Sequence, residues 1–93
     1  METTINIREL LDSAPNFQEA GYAAFYDINA ALEENRDVTI DMENVALLST
    51  VFMNTAVAPA VEHFGKEFFN RHVTLKNATT ASLAQWAGYI HKL

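Results

Sequence analysis

The chain contains no cysteine, and this absence excludes several kinds of site. Disulfides, iron–sulfur clusters, thiolate zinc sites and cysteine nucleophiles all depend on a sulfur that is not there. The first residues, METTINIREL, also lack the basic segment and the apolar core of a signal peptide. We therefore expect the protein to work in a reducing, cytoplasmic compartment.

Glycine, histidine and long apolar runs are scarce as well. The three glycines lie too far apart to form a phosphate-cradling loop. The three histidines, His63, His72 and His91, do not have the spacing of a zinc site. The richest apolar stretch, residues 45–60, is interrupted by polar side chains and is shorter than the ~20 residues of a membrane-spanning helix. We therefore expect no catalytic group, no metal, no cofactor and no membrane span.

Positive charge is the next scarcity, and it is unevenly placed. The chain has six lysines and arginines against twelve acids, a net charge of −6. Residues 1–43 hold ten of the acids beside only Arg8 and Arg36, whereas residues 44–93 are slightly basic. Nucleic-acid binding draws most of its affinity from lysine and arginine on phosphates, so we expect no direct nucleic-acid contact. The acidic half is interpreted either as a solvated helix face or as a surface for a basic partner.

What the chain does contain is enough apolar surface for one folded domain. Apolar residues make up 49% of the sequence, and 93 residues is close to the size of a single small domain. No linker, internal repeat or low-complexity segment interrupts it. Residues 1–93 are therefore predicted to form one continuous domain.

Three short segments alternate between apolar and polar residues, which is typical of strands with one buried face. They are residues 3–7, 38–42 and 72–76. Parallel strands covered on both sides would be apolar throughout, so we expect the helices to lie mainly on one face of the sheet. The residues expected on the open face are Thr4, Asn6, Thr39, Asp41, His72, Thr74 and Lys76.

Apolar residues at steps of three and four predict three longer helices. They cover residues 17–34, about 52–65 and about 83–90. Residues 8–16 are interpreted as a turn or a single helical turn. Pro59 removes a backbone donor inside the second helix, where we expect a kink, and Thr79 or Thr80 is expected to cap the third. The order β-α-β-α-β-α predicts an α/β domain with a short, mainly parallel sheet.

The segment Val38–Phe52, VTIDMENVALLSTVF, resembles a known family signature. A strand ends in Asp41, a turn and the apolar pair Leu47–Leu48 follow, and a hydroxyl-rich loop opens a helix. This pattern resembles STAS-like domains, the fold of sulfate-transporter cytoplasmic domains and anti-sigma-factor antagonists. Residues 65–77 look like the next stretch of the bacterial STAS-like family of unknown function, and residues 7–21 extend the resemblance. The resemblance implies a small STAS-like domain.

The resemblance also implies a switch module. Anti-sigma-factor antagonists bind a kinase of the GHKL ATPase type, and phosphorylation of a serine at the start of the second helix controls the complex. Val51 stands at the position of that serine, so the usual switch residue is missing here. Ser49 and Thr50 either take its place or cap the helix. Asp41, Ser49, Thr50 and Phe52 are therefore the candidate residues of a partner-binding or switch loop.

Two functions from different classes stay open. The first is a non-catalytic regulatory module that binds a protein, with a GHKL-type ATPase or an anti-sigma factor as the implied partner. The second is a small acidic inhibitor or decoy that blocks a basic protein surface, suggested by the acids of residues 1–43. A third possibility, a ligand or enzyme site along the rim from Asp41 to Thr50, would need a concave pocket there.

Overall fold

This computed structural model describes residues 2–93, which contain three short strands and six helices joined by turns and loops. In chain order they are β1 (Thr3–Asn6), α1 (Ile7–Ser13), α2 (Phe17–Glu33), β2 (Val38–Asp41), α3 (Thr50–Ala56), α4 (Ala58–Phe64), α5 (Lys66–His72), β3 (Val73–Lys76) and α6 (Thr80–His91). Each strand is followed by a helical part of the chain, so the predicted β-α-β-α-β-α alternation is confirmed.

The three strands form one parallel sheet with β2 in the centre. The register places Ile5 opposite Ile40 and Ile40 opposite Leu75, so the apolar positions of the strands share one face. Val38 and Val73 are buried on that face as well, and α2 and α5 pack against the strands there. The predicted parallel sheet with helices mainly on one face is confirmed.

The opposite face of the sheet is polar, but its centre is not displayed to solvent as predicted. Thr39 and Asp41 on β2 are each only 8% exposed. Neighbouring polar side chains cover them: the Thr39 hydroxyl bonds the Glu2 carboxylate, and the Asn77 amide reaches Asp41. The prediction is wrong for these two residues because a central strand is shielded from both sides by its neighbours. Of the other residues expected on this face, Asn6 and His72 are half-buried, and three are exposed as predicted: Thr4, Thr74 and Lys76.

Helix caps decide where several elements begin. Ile7 continues the alternation of β1, yet it is the first residue of α1, because Asn6 caps that helix by accepting a hydrogen bond from Glu9 N at 2.9 Å. α1 runs about two turns, longer than predicted. Of the two threonines expected to cap α6, it is Thr79 that does so, accepting from Ser82 N at 3.0 Å.

The predicted second helix is in fact three helices. The helix is interrupted at Val57, which separates α3 from α4. Pro59 lies in the first turn of α4, where a backbone N–H has no partner within the helix, so its missing N–H costs no hydrogen bond. Gly65 ends α4 with a φ of 90°, which a side chain would strain. The unpredicted α5 follows at once. It runs to His72, so β3 begins at Val73 and not at His72 as expected.

α2 and α3 pack more extensively than any other helix pair of the described residues, and Gly21 makes their close approach possible. A Cβ added at Gly21 would lie 1.6 Å from Thr55 Oγ1 and 3.0 Å from the carbonyl oxygen of Phe52. Only a hydrogen atom fits between the two helices at this point. Gly21 therefore sets the position of α3, and with it the position of the loop that the sequence singles out.

Candidate functional site

Asp41 lies at the carboxyl end of β2 and holds two turns together. Its Oδ1 accepts hydrogen bonds from Asn77 Nδ2 and from Glu43 N, each at 3.0 Å. Asn77, after β3, and Asn44, after β2, both have left-handed backbone, with φ of 58° and 63°, which asparagine tolerates. The Asp41 carboxylate therefore joins the turns that leave the two strands, a structural role for this candidate residue.

The bonds to Asp41 have a consequence for stability at low pH. The Asn77 amide and then the Glu43 N–H hold the pKa of Asp41 below its ordinary value of 3.8, with Lys76 adding to this effect and burial opposing it. A carboxyl with a depressed folded-state pKa stabilises the fold above the unfolded-state pKa and loses this contribution as the pH falls through the folded value.

We therefore expect Asp41→Asn to lower the free energy of unfolding at neutral pH, by a difference that shrinks once the pH falls below about 3.8. Urea unfolding of both proteins at about pH 7 and about pH 3 measures this difference. The other acids titrate in both proteins, so the comparison isolates Asp41. A difference that stays constant across this range would contradict the role assigned to the carboxylate.

Ser49 and Thr50 stand at the beginning of α3. Ser49 is the N-cap, and its Oγ accepts a hydrogen bond from Phe52 N at 3.0 Å. Thr50 is the first helical residue and is exposed. The capping role expected for one of these hydroxyls thus falls to Ser49, which leaves the Thr50 side chain facing solvent.

The structure places Phe52 in the core. Its side chain is 2% exposed, whereas the preceding Val51 is 48% exposed. Asp41 lies on the polar face of the sheet, where its carboxylate bonds Asn77 and Glu43, whereas Ser49 and Thr50 begin α3. Of the four candidate residues, Phe52 therefore has no surface to offer a partner while the protein is folded.

α6 holds the loop that precedes α3. Gln85 Oε1 accepts from Leu48 N at 3.0 Å, and Gln85 Nε2 donates to Leu48 O at 2.6 Å. One turn further along α6, the Tyr89 hydroxyl donates to Asn54 Oδ1 on α3 at 2.5 Å. Because the Gln85 amide satisfies both backbone groups of Leu48, the loop is fixed to α6 at a position without regular secondary structure.

The surface formed by this loop, α3 and the facing part of α6 has few ionised side chains, and Lys92 is one that borders it. Residues 44–61 and 77–90 contain no aspartate, glutamate, lysine or arginine, and these are the two stretches that Gln85 and Tyr89 join. Six of its exposed residues are here called the neutral surface: Leu47, Thr50, Val51, Asn54, Ala84 and Gly88. Exposed apolar groups with little charge nearby are typical of the centre of a protein interface.

A shallow groove of about 330 Å³ runs between α3 and α6 across the neutral surface. Its lining residues are Thr50, Met53, Ala84, Gln85, Gly88, Tyr89 and Lys92. A Cβ added at Gly88 would meet nothing within 4 Å, so the groove is open on that side. The groove has room for an apolar side chain from another molecule. It does not include Asp41, so it is not the pocket that a ligand site from Asp41 to Thr50 would need.

The neutral surface was not predicted from the sequence, although one of the two observations that define it, the absence of charge, can be made there. The absence of charge in residues 44–61 and 77–90 is visible by inspection. That the two stretches lie side by side depends on the bonds between Gln85 and Leu48, which no local pattern shows.

Two further findings concern other kinds of site. Within residues 2–93, histidine, aspartate and glutamate side chains do not gather in a group of three that could hold a metal ion. Among the helices of the same residues, none combines the length and the apolar character that crossing a bilayer requires.

Comparison with known proteins adds one match. A family model described as a STAS-like domain of unknown function matches residues 24–83, from α2 into α6, and includes all four candidate residues. Residues 7–21, where we also saw a resemblance, lie outside the matched part. A search of curated proteins found no match, and a search of solved structures found none either. Since the match spans well over half of the chain, this protein belongs to the family of STAS-like domains of unknown function.

Proposed function

We propose that the protein is a non-catalytic regulatory module that binds another protein through the neutral surface. The observation that carries the proposal is that Leu47 and Val51, 56% and 48% exposed, lie before and within the first turn of α3 in the uncharged stretch 44–61. Interface centres are depleted in charge in this way. The resemblance to anti-sigma-factor antagonists supports a cytoplasmic GHKL-type ATPase or an anti-sigma factor as the partner class.

The neutral surface is held in place before any partner arrives. Ser49 caps α3, Gln85 holds both backbone groups of Leu48, and Tyr89 bonds Asn54. A surface ordered in the free protein has less conformational entropy to lose on binding. This rigidity supports a recognition role for the loop and for the first turn of α3.

The structure gives less support to the acidic decoy. The acids that end α2 and precede β2 are each already paired with a nitrogen of the same chain. The pairs are Glu33 with His63, Glu34 with Arg36 and Asp37 with His72, at N···O distances of 3.3, 2.9 and 2.8 Å. A basic partner would have to compete with these contacts, so we do not propose the decoy function.

The proposal is tested with Val51→Glu. A glutamate in the first turn of α3 suits the positive end of the helix dipole, so the fold is retained while a charge enters the neutral surface. We expect proteins captured from the native host by the wild type to be lost, and the dissociation constant of the purified partner to rise about tenfold or more.

Tyr26→Glu is the matched control. Tyr26 is 75% exposed and points away from the buried side of α2, so this variant adds the same charge elsewhere and is expected to bind like the wild type. Equal partner binding by Val51→Glu and the wild type would contradict the proposal. So would the recovery of no specific protein by the wild type.

A further inference from the structure

We infer that, when no partner is bound, a second copy of the chain covers the neutral surface. The inference rests on the surface named in the proposed function and adds the occupant of that surface in the free protein. Two features support it, the distribution of charge and the shape of the surface, and the size of the surface limits its strength.

The distribution of charge selects the neutral surface for self-association. Each copy carries a net charge of −6, and residues 1–43 hold ten of its twelve acids. Two copies that meet through acidic surfaces repel each other. Two neutral surfaces bring few like charges together, since residues 44–61 and 77–90 have none and Lys92, which lines the groove, is a cation on an acidic chain.

The shape of the neutral surface is self-complementary. A two-fold interface uses the same patch on both copies, so the patch must supply both a projection and a recess. Val51 and Leu47 project into solvent, while Ala84 and Gly88 line the groove between α3 and α6. Thr50 adjoins Val51 and also lines the groove, so projection and recess are neighbours. A two-fold axis through the surface sets Val51 of each copy into the groove of the other.

The size of the surface limits the strength of this contact. α6 has 12 residues and is therefore about 18 Å long, and two helices side by side are about 20 Å wide. This footprint is small beside the ~800 Å² that each partner buries in a standard interface. We therefore expect a weak, concentration-dependent dimer, with a dissociation constant in the range of about 10 to 100 μM. A tighter partner would displace it.

The test is sedimentation equilibrium of the purified protein from about 1 μM to about 1 mM, at low and at high salt. We expect the mean mass to rise from monomer towards dimer as the concentration increases. Added salt should strengthen the association, because it screens the repulsion between two copies of net charge −6. An interface made of ion pairs would weaken with salt instead.

Gly88 offers a matched pair of variants. Gly88→Glu adds a charged side chain to the groove from a Cβ that has open space around it, whereas Gly88→Ala adds the Cβ alone and leaves the groove open. We expect Gly88→Glu to raise the dimer dissociation constant about tenfold or more and Gly88→Ala to leave it within about threefold. Thermal unfolding confirms that both monomers are folded.

A wild type that stays monomeric to about 1 mM overturns the inference, as does an equally strong dimer of Gly88→Glu. Failure here is distinguishable from failure of the proposed function. A monomeric wild type whose partner binding is lost in Val51→Glu overturns the dimer alone. A dimer that depends on the groove, together with unchanged partner binding by Val51→Glu, overturns the proposed function alone.

Discussion

Replacing Gly21 with alanine is expected to lower the free energy of unfolding by about 3 kcal/mol or more, a large part of the 5–15 kcal/mol that holds a typical domain together. The new Cβ would lie 1.6 Å from Thr55 Oγ1, so α2 and α3 would have to separate. Helix propensity alone favours alanine over glycine by about 1 kcal/mol, so a net loss of stability would come from the clash between the new Cβ and α3. Urea unfolding followed by circular dichroism measures it.

Two companion variants make this first prediction specific. Gly88→Ala makes the same change in an open part of α6 and should raise stability by about 0.5–1 kcal/mol. Adding Thr55→Gly to Gly21→Ala should recover part of the loss, since the Phe52 carbonyl, 3.0 Å from the new Cβ, stays in place. If Gly21→Ala were as stable as the wild type, the close approach of the two helices would be wrong.

Phe52→Ala is expected to cost about 3–5 kcal/mol of stability, because it removes a fully buried ring and leaves a cavity. Its neighbour is the control. Val51→Ala, at a position 48% exposed, should change stability by only about 0.5 kcal/mol in either direction. Equilibrium unfolding of the two variants under the same conditions tests the assignment of Phe52 to the core.

The effects of Val51→Ala and Phe52→Ala on partner binding should have the opposite order from their effects on stability. Val51→Ala removes an apolar group from the neutral surface and should weaken binding, whereas Phe52→Ala, measured under conditions where it stays folded, should retain most of it. If Phe52→Ala were as stable as the wild type, the assignment of Phe52 to the core would be wrong. The residue would then be a candidate for the switch loop, as the sequence motif implied.

Much of the fold was predictable because its signals are local. Alternation located the three strands, and the buried positions of α2 recur at steps of three and four, as at Gly21, Ala24 and Ile28. Phe17, the first apolar position of that helix, is 54% exposed and does not belong to the buried stripe. α5 was missed because a helix of seven residues after Gly65 contains too few turns to show a period. The burial of Thr39 was missed for a different reason, since it depends on which strand lies in the centre of the sheet.

The candidate site was predicted only in part. Ser49 as a helix cap follows from a hydroxyl that directly precedes an apolar helical stretch, which is a local signal. Phe52 had two conflicting assignments, since its spacing predicted burial and the family motif placed it in the switch loop. The structure supports the first, because α2 lies across the side of α3 that carries Phe52 and leaves Val51 outside.

The sequence by itself determined the α/β class, the parallel strands with one buried face, the family and the absence of thiol chemistry, because each follows from residue type or short-range spacing. Only the tertiary structure decided that the uncharged residues 44–61 and 77–90 meet at one surface, and that Asp41 joins the turns that follow β2 and β3. The reason is physical. The periodicity of apolar residues indicates which side chains face the core. Which side chains they contact there depends on packing between segments that are far apart in the chain.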